Sequence, residues 1–473
     1  MLMENKNSVV IIGAGPAGLS AAETLAKSNR TFSVLEASDH TGGLSATIRH
    51  DDFYFDLGGH RFFTKNADIE KYVTDLLGEE QILVDRSSKL LLRGKFFDYP
   101  LKPMNAMFGL GISTATSIII NYIAERLKFN RDVPKSLEDW IISQFGTTLY
   151  QLFFKTYTEK VWGIPCSRIS AQWGVQRIKG LSLRTAIIDA FWEKRKKDAA
   201  SLLKHFTFPK MGIGVICDKL AETIKEPNRL LLNAPAAELF HDGERITAVA
   251  YSGKSEAGKI EADYVISSMP ITELVTSLRP AAPDEIISAA RWLKYRELVC
   301  VALMFDTPFV TDQTWIYVHD PRIDFGRLHE PKNWSRYMAP ENKSCVVFEY
   351  FCNVGDAVWN SSDEGLFART KRDFKQSNIA PAAVSRIFDY KVVRSEKAYP
   401  SYEIGFSQHL LKIRKYLQTF KNLQLIGRYG TYKYNNLDHS IETGIKGAQN
   451  LLGAHHDTFM VNIEDEYLEE KNI

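Results

Sequence analysis

What the sequence lacks argues against several protein classes. The five cysteines are odd in number and contain no CxxC pair, which argues against a disulfide framework and against a thiolate zinc site. The 59 lysines and arginines nearly balance the 57 aspartates and glutamates, and without a basic stripe we do not expect nucleic acid as a partner. The first residues lack the basic, apolar and small-residue pattern of a signal peptide, so we predict a cytoplasmic protein.

Signatures of two common catalytic classes are also missing. No GxSxG elbow or Cys/His pattern indicates acyl transfer. His455, His456 and Asp457 are adjacent but lack the HExxH spacing of a helical zinc site, so we predict no metal. The length of 473 residues and the 45% apolar fraction indicate a globular protein of two or three domains, and they are compatible with an oligomer.

One uncharged run is long enough to span a bilayer. It covers residues 104–124 and reads MNAMFGLGISTATSIIINYIA. Six polar side chains interrupt it, and each would be costly in hydrocarbon without a partner: Asn105, Ser113, Thr114, Thr116, Ser117 and Asn121. We therefore predict a buried or interfacial helix in preference to a transmembrane span, and we do not expect membrane contact.

A dinucleotide-binding motif lies close to the start of the chain. An apolar run at 9–12 predicts a strand, and the glycines of a GxGxxG motif follow it: Gly13, Gly15 and Gly18. The first permits a tight turn, the second lets backbone N–H groups approach a pyrophosphate, and the third allows close helix packing. A second strand at 32–35 ends at Glu36, whose carboxylate can accept hydrogen bonds from an adenosine ribose. The complete βαβ unit predicts an ADP-binding domain.

A second glycine pair favours flavin over nicotinamide. Gly42 and Gly43 precede Leu44 shortly after the ribose acid. This arrangement resembles the flavoproteins with two dinucleotide-binding domains, in which the loop runs along FAD toward its ring.

The last part of the chain supports the same cofactor. The stretch 423–453 predicts a buried strand, a turn at Gly427 and a helix with its N-cap near Asp438 or Ser440. In the flavoproteins that this pattern resembles, the last helix points its N-terminus at the flavin. The FAD domain is therefore predicted to be discontinuous.

The middle of the chain divides by composition. From 100 to about 206 the pattern is helical, and one helix is predicted to begin at a Ser136 cap and to continue to Phe153. From about 299 to 399, runs of β-branched and aromatic residues predict an antiparallel sheet. We predict an α/β fold with a Rossmann-like FAD-binding domain in three parts, a mainly helical substrate or lid domain, and an antiparallel sheet substrate domain. The boundaries are 1–85, 206–290 and 401–473 for the FAD domain, 86–205 for the helical domain and 291–400 for the sheet domain.

The stretch DLGGHRFF delivers His60 behind two glycines, which let the backbone approach something flat or bulky. Five further stretches of the chain are considered together with this motif: DRSSKLLLRGKFFDYPLK, FFKTYTEKVWGIPCSRISAQWGVQRIKGLSL, TWIYVHDPRIDFGR, KAYPSY and IGRYGTYKY. Together these motifs resemble the UDP-galactopyranose mutases over most of the chain, and the eukaryotic-type members more closely than the short bacterial ones.

The resemblance implies a site for a flavin and a nucleotide sugar. Guanidinium groups and tyrosine hydroxyls are suitable partners for a diphosphate, and aromatic rings can stack on a base or face a sugar. The implied catalytic residues are His60, Arg327 and Arg428, and the implied substrate-binding residues are Tyr99, Phe153, Trp162, Arg177, Trp315, Tyr317, Tyr399 and Tyr434. The predicted cofactor-binding residues are Gly13, Gly15, Gly18, Glu36, Gly43, Leu44, Gly59, His60, Gly427, Asp438 and Ser440.

The reaction that the resemblance implies is the interconversion of the pyranose and furanose forms of a nucleotide hexose, UDP-galactopyranose or a close relative. In that family reduced FAD bonds through N5 to the anomeric carbon and displaces the nucleoside diphosphate, with no net redox change. Furanose sugars of this kind serve polysaccharide biosynthesis. Arg86 and Ser88 match positions that bind a nicotinamide dinucleotide, so NAD(P)H is a candidate reductant.

Two differences and one alternative remain open. Thr158 and Lys102 stand where the eukaryotic-type enzymes carry asparagine and glutamine near the nucleotide, which leaves the sugar and the base undetermined. The alternative is an FAD-dependent oxidase or desaturase that resembles protoporphyrinogen oxidase or amine oxidase and takes an apolar substrate. The run at 104–124 would then contact a membrane, but the arginine and tyrosine set would have no role.

Overall fold

The protein is described by a computed structural model, which covers residues 8–99, 109–128, 133–178, 205–253 and 257–462. In chain order its strands are β1 Val9–Ile12, β2 Phe32–Leu35, β3 Thr47–His50, β4 Phe53–Asp56, β5 Gln81–Asp85, β6 Ser88–Leu92, β7 Lys95–Asp98, β8 His205–Pro209, β9 Arg229–Leu231, β10 Ala236–His241, β11 Ile246–Ser252, β12 Ala257–Glu261, β13 Tyr264–Ser267, β14 Leu278–Arg279, β15 Tyr295–Phe305, β16 Trp315–Val318, β17 Arg327–His329, β18 Ser344–Cys352, β19 Ile387–Pro400 and β20 Leu423–Leu425.

The helices surround these strands. They are α1 Pro16–Lys27, α2 Ala67–Leu77, α3 Ile112–Arg126, α4 Leu137–Phe145, α5 Thr147–Leu149, α6 Thr156–Trp162, α7 Ala171–Ile178, α8 Val215–Ala221, α9 Ile271–Thr276, α10 Asp284–Trp292, α11 Asp363–Ser377, α12 Phe406–Leu417, α13 Gly427–Gly430 and α14 Leu437–Leu451. Residues Tyr150–Lys155, between α5 and α6, form a π-helix.

A five-stranded parallel sheet is built around β1, in the order β20-β13-β1-β2-β9. All four residues of β1 are buried, as expected for a strand that is covered on both faces. Helix α1 packs closely on α14, because the Ser20 hydroxyl donates to the Ile441 carbonyl at 3.1 Å and a Cβ on Gly444 would lie 2.1 Å from the Ala17 carbonyl oxygen. Distant parts of the chain thus meet in one Rossmann-like sheet, as the α/β prediction requires.

A seven-stranded sheet forms the second large layer, in the order β19-β15-β18-β17-β16-β6-β7. Its neighbouring strands are antiparallel except for β6 and β16, which run parallel with Ser88 opposite Trp315. The antiparallel sheet predicted from about 299 to 399 is confirmed. The parallel pair involves β6, which lies outside that range, and a strand from a distant segment is not constrained by a hairpin to run antiparallel.

Three smaller sheets complete the strand pairing among the described residues. One contains β12-β11-β10-β14, and the others are the pairs β3-β4 and β5-β8. The strand β8 returns the chain from the helical segment and pairs antiparallel with β5, with Phe208 opposite Ile82. The predicted domain boundaries at 85, 205, 290 and 400 stay predictions.

The helical segment begins as its sequence predicts and then departs from the prediction. The Ser136 hydroxyl accepts the Asp139 N–H at 3.1 Å and the Asp139 carboxylate accepts the Ser136 N–H, which confirms the cap of α4. The continuous helix predicted to Phe153 is wrong. Helix α4 ends before Gly146, whose φ of +81° is a conformation that favours glycine, and the π-helix follows one short turn later.

Helix α3 contains most of the uncharged run, whose residues 104–108 lie outside the described part. Ala115 and Ile118 are buried, whereas Ile120 and Ile123 are 59% and 50% exposed. The helix is therefore half-buried, with apolar side chains on both faces. Within the described ranges, no helix is both long and apolar enough to cross a membrane.

Candidate active site

A cavity of about 1150 Å³ opens at the carboxyl ends of β1 and β2 and extends along the seven-stranded sheet and the helical segment. This is where ligands bind in open parallel sheets. The predicted cofactor residues that line it are Gly13, Gly15, Glu36, Gly43, Leu44, Gly59, His60, Gly427 and Ser440. The predicted catalytic and substrate residues that line it are Arg327, Arg428, Tyr99, Phe153, Trp162, Trp315, Tyr317, Tyr399 and Tyr434.

Three predicted residues are not among those that line the cavity. Gly18 and Asp438 are buried beside it, in α1 and α14. Arg177 belongs to α7, but its side chain lies outside the described part of the structure.

The GxGxxG turn has the geometry of a dinucleotide site. Gly13 has a φ of +98°, and a Cβ there would lie 2.2 Å from Ser268 Oγ. At Gly15 a Cβ would meet nothing nearer than 3.9 Å, so the space beside this backbone is available to a ligand at the N-terminus of α1. The Glu36 carboxylate accepts the Ala14 N–H at 2.6 Å and the Ser38 N–H at 2.8 Å, which fixes it at the cavity edge. These residues fit the ADP half of FAD.

A substitution at Gly18 can test whether the GxGxxG turn binds the cofactor. A Cβ on Gly18 would lie 1.8 Å from the Gly13 carbonyl oxygen, and neither backbone can move without displacing the turn. We expect Gly18→Ala to lower the flavin content of the purified protein by about tenfold or more, because overpacking of this kind costs a few kcal/mol. The ratio of flavin to protein absorbance measures it. Gly365→Ala is the control, since a Cβ there meets nothing nearer than 3.4 Å, and full flavin content in Gly18→Ala would contradict the assignment.

The N-terminus of α14 closes the cavity from the opposite side. The helix begins at Leu437 and Asn436 is its N-cap, so the predicted cap at Asp438 or Ser440 is wrong by at least two residues. The error arises because Asn436 and His439 form a capping box, in which a histidine replaces the usual Glu or Gln. Asn436 and Ser440 line the cavity, so the positive end of the helix dipole lies beside it.

Gly58, the first of the two glycines before His60, is required by its backbone conformation and by a close neighbour. Gly58 has a φ of +99°, and a Cβ there would lie 3.0 Å from Glu349 Oε2. A Cβ on Gly59 would contact the Trp334 ring at 3.6 Å. The glycine pair therefore lets the chain pass between a buried carboxylate and an indole and presents His60 to the cavity.

His60 is held in its neutral form. Burial lowers the pKa of His60 to about 3, and the positive charge of Arg428 acts in the same direction. Its Nδ1 is buried and has no hydrogen-bond partner among the described residues. A neutral imidazole with an unsatisfied nitrogen at this position fits a ligand that donates to it or accepts from it, such as the polar edge of a flavin.

A buried ion pair holds Arg327, and its carboxylate was missed from the sequence. Arg327 Nε donates to Glu349 Oε1 at 2.7 Å and Arg327 Nη2 donates to Glu349 Oε2, so the pair is bidentate. Glu349 is completely buried. Burial would raise its pKa, but Arg327 and His329 lower the pKa of Glu349 to about 2 overall. The sequence did contain a signal, because Glu349 is the single charged residue of the apolar strand SCVVFEYFC.

Arg428 is positioned by carbonyl groups, with no carboxylate partner among the residues that the structure describes. Its Nε donates to the Asn435 carbonyl and its Nη1 to the Ala398 carbonyl, both at 2.9 Å. The guanidinium lies 5.0 Å from the ring centre of Tyr434 and 5.6 Å from that of Tyr399. The two tyrosine rings stack on each other at 5.5 Å. Arg428 therefore brings an uncompensated positive charge to the cavity.

Further residues line the substrate end, of which Arg86 was predicted only as a contact of the nicotinamide dinucleotide, whereas Arg61, Tyr157 and His319 were missed. Arg61 and Arg86 lie 5.3 and 5.4 Å from the ring centre of Trp315, and both line the cavity. Tyr157 and His319 line it as well. Arg61 stands in the GGHRFF motif, so its sequence position was a usable signal, whereas Tyr157 and His319 are brought together only by the fold.

The charge of this end favours an anion. Four arginines line it, Arg61, Arg86, Arg327 and Arg428, and Arg327 is paired with the buried Glu349. Guanidinium groups in a partly dry pocket bind phosphate oxygens well. Tyrosine hydroxyls and stacked aromatic rings beside these arginines fit a ligand with both phosphate and planar parts.

Comparison with known proteins agrees with this geometry. A curated relative from Klebsiella pneumoniae, a probable UDP-galactopyranose mutase, is 27% identical over 96% of this chain and 96% of its own. An L-amino-acid oxidase from Crotalus adamanteus is 26% identical over 98% of this chain and 90% of its own. The predicted resemblance to the mutases is confirmed, and the oxidases show the same superfamily.

Solved structures share the fold. A reduced UDP-galactopyranose mutase superposes with a TM-score of 0.82 at 22% identity, covering 98% of this chain and 99% of that one. A putative protoporphyrinogen oxidase from Exiguobacterium sp. superposes with a TM-score of 0.71 at 16% identity, covering 94% and 99%. The family model for flavin containing amine oxidoreductases matches residues 16–452. The chain belongs to the flavin-containing amine oxidoreductase family.

Proposed function

We propose that the protein is a flavin-dependent mutase that interconverts the pyranose and furanose forms of a nucleotide hexose, UDP-galactopyranose or a close relative. The observation that carries this proposal is the pair Arg327 and Arg428, which line one cavity together with His60 and whose positive charges both help to lower the pKa of His60. A substrate with two phosphates gives both arginines a role. An apolar oxidase substrate would leave them without one.

The arginines bind the diphosphate and stabilise it when it separates from the sugar. The ion pair with Glu349 uses two of the five N–H donors of Arg327, so three can donate to phosphate oxygens. Arg428 adds a full positive charge beside them. Charge that grows on the departing phosphate is stabilised by donors that are already in place, which is usually a large contribution to catalysis.

FAD, when bound in its reduced form, would supply the nucleophile for the anomeric carbon. The glycine turn, Glu36 and the N-terminus of α14 would hold it, and His60 would contact its polar edge through an uncharged nitrogen. Because the pKa of His60 is lowered to about 3, the imidazole does not add positive charge there at neutral pH. Trp162 and the stacked pair Tyr399 and Tyr434 exclude water from the sugar.

The proposal extends to the setting of the reaction. The furanose product would feed a glycosyl transfer in polysaccharide biosynthesis, and the enzyme would act in the cytoplasm. Arg86, which lines the cavity beside Trp315, is the residue that we assign to NAD(P)H during reduction of the flavin.

The test is anaerobic incubation of the purified flavoprotein with UDP-galactopyranose and related nucleotide sugars, with and without dithionite, followed by chromatography and NMR of the products. We expect a furanose product only when the flavin is reduced. Absence of isomerised product from every sugar would overturn the proposal.

An oxidase is the second candidate, because L-amino-acid oxidases are among the relatives and the apolar residues Ile118 and Ile119 of α3 line the cavity. Oxygen-dependent flavin turnover on an apolar or amino-acid substrate, measured as hydrogen peroxide release, would favour it. The two candidates therefore differ in substrate charge as well as in their need for oxygen.

A further inference from the structure

Lys160 belongs to a helix of the candidate site but is not among the residues that line the cavity. It lies on α6, from which Tyr157, Thr158, Val161 and Trp162 do line the cavity. The function proposed above gives Lys160 no role. An ammonium that is partly removed from water needs acceptors for its three N–H groups. The partners of Lys160 therefore indicate what it does.

All of these partners are backbone carbonyls at one end of a hairpin. Residues 319–326 connect β16 to β17, and the ammonium donates to carbonyls before this loop and along it. The distances are 3.0 Å to Val318, 3.1 Å to Asp320, 2.8 Å to Ile323 and 3.4 Å to Phe325. One cation from α6 thus gathers four carbonyl oxygens that a neutral side chain could not satisfy together.

Lys160 carries its charge at neutral pH. Burial lowers the pKa of Lys160 to about 8, whereas the carboxylates of Asp320, Asp324 and Asp373 act in the opposite direction. Most of the protein therefore has an ammonium, with all three of its donors, between these carbonyls at pH 7.

The loop that Lys160 holds joins two residues of the proposed diphosphate site. Tyr317 and Arg327 lie directly opposite each other in the β16–β17 pair. The stem of Lys160 also passes beside the residue before Arg327, because a Cβ on Gly326 would lie 3.5 Å from Lys160 Cδ. The ammonium therefore holds the backbone next to Tyr317 and, at the other end of the loop, close to Arg327.

The same contact connects two walls of the cavity. Tyr157 of α6 and Tyr317 of β16 both line it, and their rings meet edge to face with centres 5.7 Å apart. A shift of the hairpin relative to α6 would separate these rings and displace the guanidinium of Arg327. Lys160 opposes this shift because it belongs to one wall and binds the other.

We propose that Lys160 is a positioning residue, whose ammonium fixes the loop 319–326 on α6 and thereby holds Tyr317 and Arg327 in the arrangement that binds a nucleoside diphosphate. This deepens the proposed function and rests on it. Lys160 acts through the backbone of the hairpin and does not touch the substrate.

The test measures the dissociation constant of UDP for the oxidised holoenzyme by isothermal titration calorimetry. Lys160→Met keeps an apolar stem and removes the ammonium. It should weaken UDP binding about tenfold, because the ligand must then order groups that the wild type holds in place. Lys160→Ala should weaken binding at least as much. Unchanged flavin spectra would show that the variants fold.

A small amine can replace the missing side chain of Lys160→Ala. Propylammonium has the carbons and the ammonium that this variant lacks beyond Cβ, so it should restore much of the affinity for UDP. Tetramethylammonium at the same ionic strength has a charge but no N–H group, and it should not. Equal effects of the two ions would contradict the role of the four carbonyls.

Lys332→Ala is the matched control. The Lys332 ammonium also lies among carbonyls, those of Pro340, Glu341 and Lys343 at 2.6–2.8 Å, but none of these residues lines the cavity. This variant should lower the thermal midpoint, because it also leaves buried carbonyls unsatisfied. It should nevertheless bind UDP as the wild type does.

The outcomes separate the inference from the proposed function. If the wild type binds UDP and both Lys160 variants bind it equally well, Lys160 does not position the site although the proposed function stands. Equal losses of affinity in Lys160→Ala and Lys332→Ala would also overturn the inference, since they would reflect a general loosening of the fold. If the wild type does not bind UDP, the proposed function fails and the inference fails with it.

Discussion

Arg327→Ala is expected to lower kcat/KM for the nucleotide sugar by about 10²–10³-fold, because the variant loses a preorganised donor to the departing diphosphate. The flavin should remain bound, since Arg327 is on β17 and the glycine turn is on the parallel sheet. Steady-state assays of product formation under reducing conditions measure the first effect. The flavin absorbance of the purified protein measures the second.

Two further variants separate chemistry from structure. Arg327→Lys keeps a positive charge beside Glu349 but cannot make the bidentate pair, so it should be intermediate in activity. Arg279→Ala removes a surface arginine that pairs with Glu238 outside the cavity, and it should behave as the wild type. Near-normal activity of Arg327→Ala would contradict the assigned role, and loss of flavin would show that the residue acts on the cofactor instead.

Glu349→Ala is expected to destabilise the holoenzyme by about 3–5 kcal/mol, because it leaves the guanidinium of Arg327 buried without its partner. The loss of stability should appear as a fall of several degrees in the thermal midpoint. Thermal unfolding is monitored by flavin release and by circular dichroism. Glu238→Ala breaks the exposed pair with Arg279 and should cost less than about 1 kcal/mol. A second substitution, Arg327→Met, should recover much of the stability of Glu349→Ala, since the unpaired charge is then gone.

The Glu349 carboxylate also determines how the stability of the protein changes as the pH falls. The pKa of Glu349 falls from 4.5 to about 2 in the folded protein. A group with a lowered pKa in the folded state contributes its stability fully above its unfolded pKa and loses it as the pH falls through the folded value. The difference in thermal midpoint between wild type and Glu349→Ala should therefore be constant above about pH 5 and shrink toward pH 2. A difference that grew on acidification would contradict the pairing.

The parts of the site that the sequence predicted are those encoded locally. The GxGxxG turn and the acid after β2 lie within 24 residues of one another, and Gly18 is required by a contact with Gly13 inside the motif itself. The cap at Ser136 is local in the same way. The resemblance over most of the chain predicted most of the remaining site residues, and these line one cavity.

The parts that the sequence did not predict depend on contacts between distant segments. Glu349 pairs with Arg327 only because β17 and β18 are neighbours and place the two residues directly opposite. The pairing of β6 with β16 joins segments more than 200 residues apart, and no hairpin indicates its direction. The π-helix at 150–155 follows the normal helical spacing of apolar residues, so hydrophobic periodicity could not distinguish it from an α-helix.

The strand order of the parallel sheet has a consequence for synthesis on the ribosome. The strands β1 and β2 emerge more than 190 residues before their neighbours β9 and β13, and β20 follows much later still. The nascent chain must therefore carry a pair of apolar strands with unpaired outer edges through about half of translation, and such edges favour aggregation and chaperone binding. Because α14 also borders the cavity, the cofactor can be captured in full only after nearly the whole described chain has been made. The non-local order of this sheet predicts slow folding and late flavin incorporation.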